Sequence, residues 1–288
     1  MGELLFKLKA LKDFIGEVIK EWGNDKGWLL SAALAFYSLF SLAPLLIITI
    51  AIAGIIFGQS NAEDAIISHL QSLAGERGTR ALKNIAFEIS LAGKSIPAML
   101  VGFAALFIGA STLFFQMRHS LNEIWKAEQP NEKFFIGYIK ARVTAFIIAV
   151  GGGILVLVSL ISSSLLSALA EQLEPAFGQL IILWKTLDFV LSYAVLTVLF
   201  AMLYKYVPDA HIKWKDVWVG AITASLLYNA AKFLISLYLG HSSVGSAYGA
   251  AGSLVVLLVW INISAQIFLL GGEVAQVYAR HKGRIIAH

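Results

Sequence analysis

The sequence predicts an all-α polytopic membrane protein, a bundle of six transmembrane helices with amphipathic helices at its surface. Long stretches contain no aspartate, glutamate, lysine or arginine, among them residues 27–62, 143–170 and 242–272. Each is long enough to cross a bilayer, because the hydrocarbon core takes about 20 helical residues. The mean hydropathy of +0.77 and the charged fraction of 14% agree, since soluble domains carry about 25% charged residues.

The predicted spans follow from these apolar stretches and from two others that carry internal charges. They are residues 28–57, 96–117, 142–168, 180–204, 216–239 and 248–273. They define a membrane domain over 27–279, with a helical connection over 58–94 and a tail over 280–288. Residues 1–26 have apolar side chains at helical spacing between lysines and acids, which predicts an amphipathic helix. That helix lies either on the membrane surface or against the protein's own loops.

The distribution of lysine and arginine predicts that both termini face the cytoplasm. Segments on the side of the termini carry 16 of these residues, whereas the connections on the other side carry 4. In bacterial membranes the side richer in lysine and arginine faces the cytoplasm. The connection over 58–94 is therefore expected on the external side.

Two features interrupt the predicted spans. Pro44 stands inside the first apolar run, where it removes a backbone donor and predicts a kink. The glycine run 151–153 in the third span permits a bend or the close approach of another backbone. Backbone groups freed at membrane depth must face protein or water, so Tyr37, Ser41 and Pro44 are predicted to line the interior of the bundle. Simple helix packing is the alternative explanation of each feature.

Polar side chains form one stripe on each of the last two spans when residues are placed at about 100° intervals around the helix. The stripe of the fifth span comprises Ser225, Tyr228, Asn229, Lys232 and Ser236. The stripe of the sixth span comprises Tyr248, Asn262, Gln266, Glu273 and Gln276. Two polar stripes on neighbouring spans predict a lined cavity, and hydrogen bonds between the helices of a solid bundle are the alternative.

Charged side chains at membrane depth need a partner or water, which predicts two contacts. Lys232 lies roughly 10 Å from the outer end of the fifth span, at the depth of Asp188 in the fourth, so these two are predicted to pair. A lysine three residues before Asp188 is the competing partner. Glu273 lies near the inner end of the sixth span, where it is expected to meet Arg118 or His119 as an inner-end polar cluster.

The sequence shows no cluster of side chains typical of an enzyme active site, so no catalytic residue, metal site or cofactor is predicted. Cysteine is absent, which excludes disulfides and thiol chemistry. The 6 histidines are scattered without metal-ligand spacing, and the glycine run 151–153 lacks the lysine of a phosphate-binding loop. Basic residues occur in connections without interleaved aromatic side chains, so no nucleic-acid partner is expected.

Four groups of residues resemble the YihY/BrkB family of bacterial inner-membrane proteins. They are the run from Ala33 to Leu45, the run Leu121-Asn122-Glu123-Ile124-Trp125, the run Tyr204-Lys205-Tyr206-Val207-Pro208-Asp209 with Trp214 and Gly220-Ala221, and Tyr248-Gly249-Ala250 with Trp260 and Gly271-Gly272-Glu273. The resemblance covers nearly the whole chain, with a departure at Gly272, where the family more often has alanine. It implies six spans in the bacterial inner membrane and cytoplasmic termini.

Some members of that family carry a ribonuclease label, and others are linked to virulence, the envelope or lipid transport. The ribonuclease label fits these residues poorly, because they show no acid, base or metal cluster. We expect transport or translocation of a small solute or an anionic lipid through the polar-lined bundle, with membrane lipids as partners and a homo-oligomer as the assembly. The alternatives are a non-transporting envelope-assembly scaffold and, third, a membrane-bound ribonuclease.

Overall fold

The computed structural model describes residues 2–39, 41, 96–127, 181–241 and 252–283. These residues form α-helices and no strand, which confirms the predicted all-α class. The described helices in chain order are α1 Gly2–Asn24, α2 Gly27–Leu39, α3 Ile96–Trp125, α4 Ile181–Tyr206, α5 Trp214–His241 and α6 Gly252–His281.

Three of the described helices contain apolar segments long enough to cross a membrane. They are Phe189–Tyr206 in α4, Trp214–Leu234 in α5 and Leu254–His281 in α6. α3 begins where the second span is predicted to begin and continues past the predicted end to Trp125. The third predicted span, the connection over 58–94 and most of the first span lie outside the described residues, so the six-span topology stays a prediction.

α1 packs on the protein with one face and leaves another face uncovered. Val18 is buried against Val274 and Val277 of α6, and Phe14 packs on the same cluster. Large apolar side chains on another face are exposed, namely Leu8, Leu11, Ile15 and Ile19. The amphipathic helix predicted over 1–26 is therefore present. It rests on α6, and its exposed stripe has the character of a surface that meets lipid.

α6 is the helix around which the others are arranged. It contacts α5, α3 and α1, and α4 packs on α5. A Cβ added to Gly220 of α5 would lie 2.3 Å from the backbone oxygen of Gly271 in α6. The two glycines therefore allow α5 and α6 to approach more closely than any side chain would permit. A Cβ on Gly271 would also lie 2.3 Å from the hydroxyl of Tyr204, so α4 fills the space beside this contact.

An aromatic cluster occupies the space among α4, α5 and α6. Phe200 and Tyr204 of α4 contact Phe268 of α6, and Tyr228 of α5 contacts Trp260 of α6. Tyr204 is fully buried, and its hydroxyl donates a hydrogen bond of 2.6 Å to the backbone oxygen of Phe268. This bond satisfies the polar tip of a ring that is otherwise surrounded by apolar groups.

Candidate functional site at the charged end of the bundle

Ion pairs and buried polar groups gather where α1, α3 and α6 end and where α4 connects to α5; we call this region the charged end. Arg118 of α3 donates from Nε and Nη2 to the two carboxylate oxygens of Asp209, at 2.8 and 2.5 Å. Asn122, one turn later, donates to Asp209 at 2.7 Å and accepts from the backbone N–H of Asp209 at 2.8 Å. Because the pair is bidentate and partly buried, Asp209 is held in one position relative to α3.

A second set of ion pairs joins α1 to α3 and α6. Glu17, Glu21 and Asp25 are spaced four residues apart, so they follow one face of α1 and its end; we call them the acidic stripe. Arg280 of α6 pairs with Glu17 and, at 3.0 Å, with Glu21. Lys126, which follows α3, pairs with Asp25. The acidic stripe thereby fastens α1 to two other helices.

Lys126 adopts a backbone conformation that is unusual for a residue with a side chain. Its φ is 49°, in the left-handed region that glycine occupies most easily. The N–H of the next residue, Ala127, bonds to the carbonyl oxygen of Asn122 at 3.0 Å, which is the closing bond of a helix C-terminus. The left-handed conformation is higher in free energy for lysine than for glycine, and the lysine side chain forms the ion pair with Asp25.

The two ends of the acidic stripe have opposite electrostatic surroundings. Burial raises the pKa of Glu17, but hydrogen bonds with His281 and Arg280 outweigh it, so the pKa of Glu17 lies below its ordinary value. Burial raises the pKa of Asp25 above its ordinary value, although the hydrogen bond from Lys126 acts in the other direction. Glu17 is therefore stabilised as a carboxylate, whereas the ionised form of Asp25 is disfavoured.

Buried polar groups without partners lie behind these ion pairs. Glu273 of α6 is 0% exposed, and neither of its carboxylate oxygens has a hydrogen-bond partner among the described residues. Three further atoms of the charged end are buried and have no partner among the described residues: Gln276 Oε1, Trp125 Nε1 and Asp25 Oδ2. Leaving one such group unpaired costs about 1–3 kcal/mol, so they are rare in folded proteins. Their concentration makes the charged end the candidate functional site.

The neighbours of Glu273 along α6 show where its side chain lies. Gly272 faces α3, because a Cβ added there would be 3.3 Å from Leu121. Val274 faces α1, since it packs in a cluster with Val18. Glu273 stands between these two residues on the helix surface, so it faces the region where α3 and α1 meet.

Glu273 does not bond to Arg118 or His119, contrary to the prediction. Arg118 is engaged by Asp209, and His119 stacks on a phenylalanine of its own helix. The second membrane span is predicted to end at 117, and the helix that contains it, α3, continues to Trp125. Arg118 therefore lies two turns inside the helix, where the α4–α5 connection supplies the nearer acid.

One side chain of the α5 stripe and one of the α6 stripe bond within their own helices. Asn229 donates to the backbone oxygen of Ser225 at 2.8 Å. Gln266 donates to Oδ1 of Asn262 at 2.7 Å. Tyr228 packs into the aromatic cluster. Across the described ranges, no hydrogen bond joins one stripe to the other, so nothing there supports the alternative in which the stripes fasten the two helices together.

The structure describes only some of the other residues that were predicted to line the interior of the bundle or to form its internal ion pair. Lys232 is half-buried on α5, and the side chain of Asp188 lies outside the described residues, so their pairing stays a prediction. Tyr37 of α2 is half-buried. Ser41 is buried, and its hydroxyl donates to a backbone oxygen three residues earlier at 3.0 Å. Pro44 lies outside the described residues.

Sequence reasoning missed Asn122, Asp209 and the acidic stripe as site residues. The four-residue spacing of Glu17 and Glu21 with the acid that follows was a usable signal, because it places all three acids on one helix face. Asn122 and Asp209 stood inside runs that resembled a known family. Their mutual contact could not be inferred, since 87 residues separate them.

Comparison with known proteins agrees with that resemblance. A family model described as virulence factor BrkB matches residues 18–286. The chain belongs to the BrkB family. Three of the four BrkB-like groups of residues meet at the charged end, since Asn122 bonds to Asp209 and Gly272 packs against Leu121. No solved structure matches the chain.

Named relatives support an integral membrane protein. A UPF0761 membrane protein of Verminephrobacter eiseniae is 30% identical over 85% of this chain and 57% of its own length. Another, of Chlorobium limicola, is 29% identical over 88% of this chain and 56% of its own length. A putative ribonuclease-like protein, YfkH of Bacillus subtilis, is 23% identical over 93% of this chain and 96% of its own length. This BrkB-family chain thus spans little more than half the length of the first two relatives.

Proposed function

We propose that this BrkB-family protein is a six-span protein of the bacterial inner membrane, with both termini in the cytoplasm, that translocates a small solute or a lipid. One observation supports this proposal most directly. Asn229 of α5 and Gln266 of α6 bond within their own helices, and not across the interface in the described part. Their remaining donors and acceptors are therefore free to contact a substrate.

An anionic group fits this lining best. Lys232 follows Asn229 by three residues, so the two lie on the same face of α5. An ammonium and an amide on one face offer several donors to phosphate or carboxylate oxygens. A charged side chain at membrane depth is costly, which is why such residues usually have a function. The proposed partner Asp188 holds Lys232 when no substrate is present.

Reconstitution of the full chain into liposomes tests this function. The liposomes consist of phosphatidylcholine with a trace of fluorescent phosphatidylglycerol, and dithionite added outside quenches only label in the outer leaflet. We expect the protein to expose inner-leaflet label faster than protein-free liposomes do. Lys232→Ala and Gln266→Leu should each slow this phase about tenfold, which corresponds to about 1.4 kcal/mol. Lys215→Ala is the matched control, because Lys215 is exposed at the start of α5.

Labelled phosphatidylcholine and a small anion trapped in the liposomes serve as further probes. Equal rates for both lipids would contradict recognition of the anionic group. If the folded protein moves none of the probes faster than empty liposomes lose them, translocation is contradicted.

A scaffold is the second candidate, and the charged end favours it. Ion pairs there fasten α1, α3, α6 and the α4–α5 connection to one another, which suits a rigid assembly platform. The ribonuclease reading rests on the name of YfkH alone. Incubation of the purified chain with labelled single-stranded RNA tests it, and cleavage that co-purifies with the folded protein through several steps would favour it.

A further inference from the structure

We propose that Glu273 is a proton-binding site, and that loss of its proton draws the side chains of Lys126 and Arg280 away from the acidic stripe and towards the Glu273 carboxylate. The ligand is one proton, which passes from the carboxyl group to water and leaves a carboxylate; no other covalent bond changes. The inference concerns the charged end and does not depend on the proposed transport function.

The burial of Glu273 favours the protonated side chain. Both of its oxygens are buried, and neither has a hydrogen-bond partner within the described residues. An ionised carboxylate removed from water needs several donors, whereas a neutral carboxyl group needs far less compensation. The other unpaired atoms of the charged end include two acceptors, Gln276 Oε1 and Asp25 Oδ2. A protonated Glu273 can donate to an acceptor of this kind, and an ionised one cannot.

The charged groups that act on Glu273 leave an ionised form uncompensated. They are Glu21 and Asp25 of the acidic stripe, Lys126 after α3 and Arg280 of α6. Two acids and two bases cancel one another, and they are already joined in the ion pairs of the acidic stripe. A negative charge on Glu273 would therefore be an excess charge in a buried place.

Among the described residues, no other element supplies a counterion to this face of α6. α2 has no charged residue over Gly27–Leu39. α5 lies on the opposite side of α6, because Gly271 and Ala275 approach Gly220 and stand about half a turn from Glu273. Asp216 precedes Gly220 by four residues and lies on that side too. Other described charged groups of the charged end are paired or exposed, among them Glu17 with His281, Arg118 with Asp209, and the exposed Glu123.

Lys126 and Arg280 are the cations for which an ionised Glu273 would compete. Both now bond to the acidic stripe, and these bonds help the apolar cluster around Val18 to hold α1 on the bundle. Lys126 has an unfavourable left-handed backbone conformation, with a φ of 49°. When Glu273 loses its proton, its carboxylate attracts these two cations and so weakens their ion pairs with Asp25 and Glu21. Release of α1 as the pH rises is the consequence.

Infrared spectroscopy of the full chain in lipid nanodiscs tests the proton site. We expect a protonated carboxylic acid band at neutral pH that disappears when the pH is raised. The band should be absent from Glu273→Gln and present in Glu123→Gln, the matched control on the exposed surface of the same end. A band that persists in Glu273→Gln and is lost in Asp25→Asn would overturn the assignment. If Glu273→Gln is unstable, Glu273→Met replaces it, and the same outcomes decide.

A cation such as sodium is the competing occupant of these buried oxygen atoms. If the wild type lacks the band at neutral pH, and sodium chloride raises its melting temperature more than choline chloride does, a metal ion occupies the site and the proposal is wrong. Hydrogen exchange of α1 tests the second half of the inference. Exchange should accelerate at alkaline pH in the wild type, after correction for the intrinsic rate, and should stay flat in Glu273→Gln. Equal acceleration in both would overturn the coupling to α1.

Discussion

The side chains of Arg118 and Asp209, 91 residues apart in the sequence, form a bidentate ion pair with N–O distances of 2.8 and 2.5 Å. The pair makes the α4–α5 connection part of the charged end and leaves Glu273 without the partner that its position had suggested. Asn122 adds two bonds to the same aspartate, one in each direction. The connection is thus fixed by side chains of α3.

Asp209→Asn should destabilise the protein by about 2 kcal/mol, because Arg118 would keep a partly buried charge with a weaker partner. Arg118→Gln should cost a similar amount. The double variant should lose less than the sum of the two, since the residues act on each other. Thermal unfolding of the purified protein measures all three, and strictly additive losses would contradict a direct energetic coupling.

Gly271→Ala should destabilise the bundle by about 1–3 kcal/mol, because the new methyl group would lie 2.3 Å from the Tyr204 hydroxyl and 2.6 Å from Cβ of Ala224. Adding Tyr204→Phe should recover part of the loss. Gly16→Ala is the control, since a Cβ there has nothing within 4 Å. It should be neutral or stabilise α1 by about 0.5–1 kcal/mol. Equal effects at both glycines would show that close packing is not what Gly271 provides.

Lys126→Gly should separate backbone strain from ion pairing at the end of α3. Glycine relieves the left-handed conformation, which favours the helix end by up to about 1 kcal/mol, but it removes the partner of Asp25. We expect little change in the melting temperature of the bundle and faster protease cleavage in α1. Lys126→Ala is the control, because it keeps the left-handed backbone conformation and loses the ion pair with Asp25.

The acidic stripe should give two opposite dependences of stability on pH. The pKa of Glu17 is lowered in the folded protein, so its contribution is present above the unfolded value of 4.5 and is lost as the pH falls through the folded value. The pKa of Asp25 is raised, so its contribution is greatest below 3.8 and declines as the pH rises through the folded value.

Glu17→Gln should therefore lose stability relative to the wild type at neutral pH, with a difference that shrinks in acid. Asp25→Asn should gain relative to the wild type as the pH rises from acid towards neutral. Unfolding midpoints across this range measure both, and parallel curves for the two variants would contradict the assigned shifts.

Reporter fusions test the topology that the loop charges predict. Fusions after Ala170 and after His241 should report the external side, and a fusion at the C-terminus should report the cytoplasm. The expectation rests on 16 lysines and arginines on one side against 4 on the other. An external C-terminus would contradict the prediction that both termini face the cytoplasm.

The sequence predicted the helices better than the contacts at their ends. Apolar spacing located α1, uncharged runs located the start of α3 and the course of α6, and long apolar stretches with a few internal charges located α4 and α5, because burial in lipid or protein selects side chains locally. α3 extends beyond the predicted span, since the first arginine marks where the apolar run stops and not where helical hydrogen bonding stops. Contacts such as Arg280 with Glu17, 263 residues apart, depend on the packed fold and leave no local pattern.

The glycine contact between α5 and α6 limits how this membrane protein can change shape. Where Gly220 meets the backbone of Gly271 there is no flexible side chain to absorb sliding or rotation, so the two helices are expected to travel as one rigid body. Any opening that admits a substrate must then occur at another interface between helices. The α1–α6 interface is one, because the ion pairs of the acidic stripe can dissociate and re-form in water, and the apolar cluster around Val18 that must separate there is small. A disulfide introduced between α1 and α6 would arrest a motion there, whereas one between α5 and α6 would leave it intact.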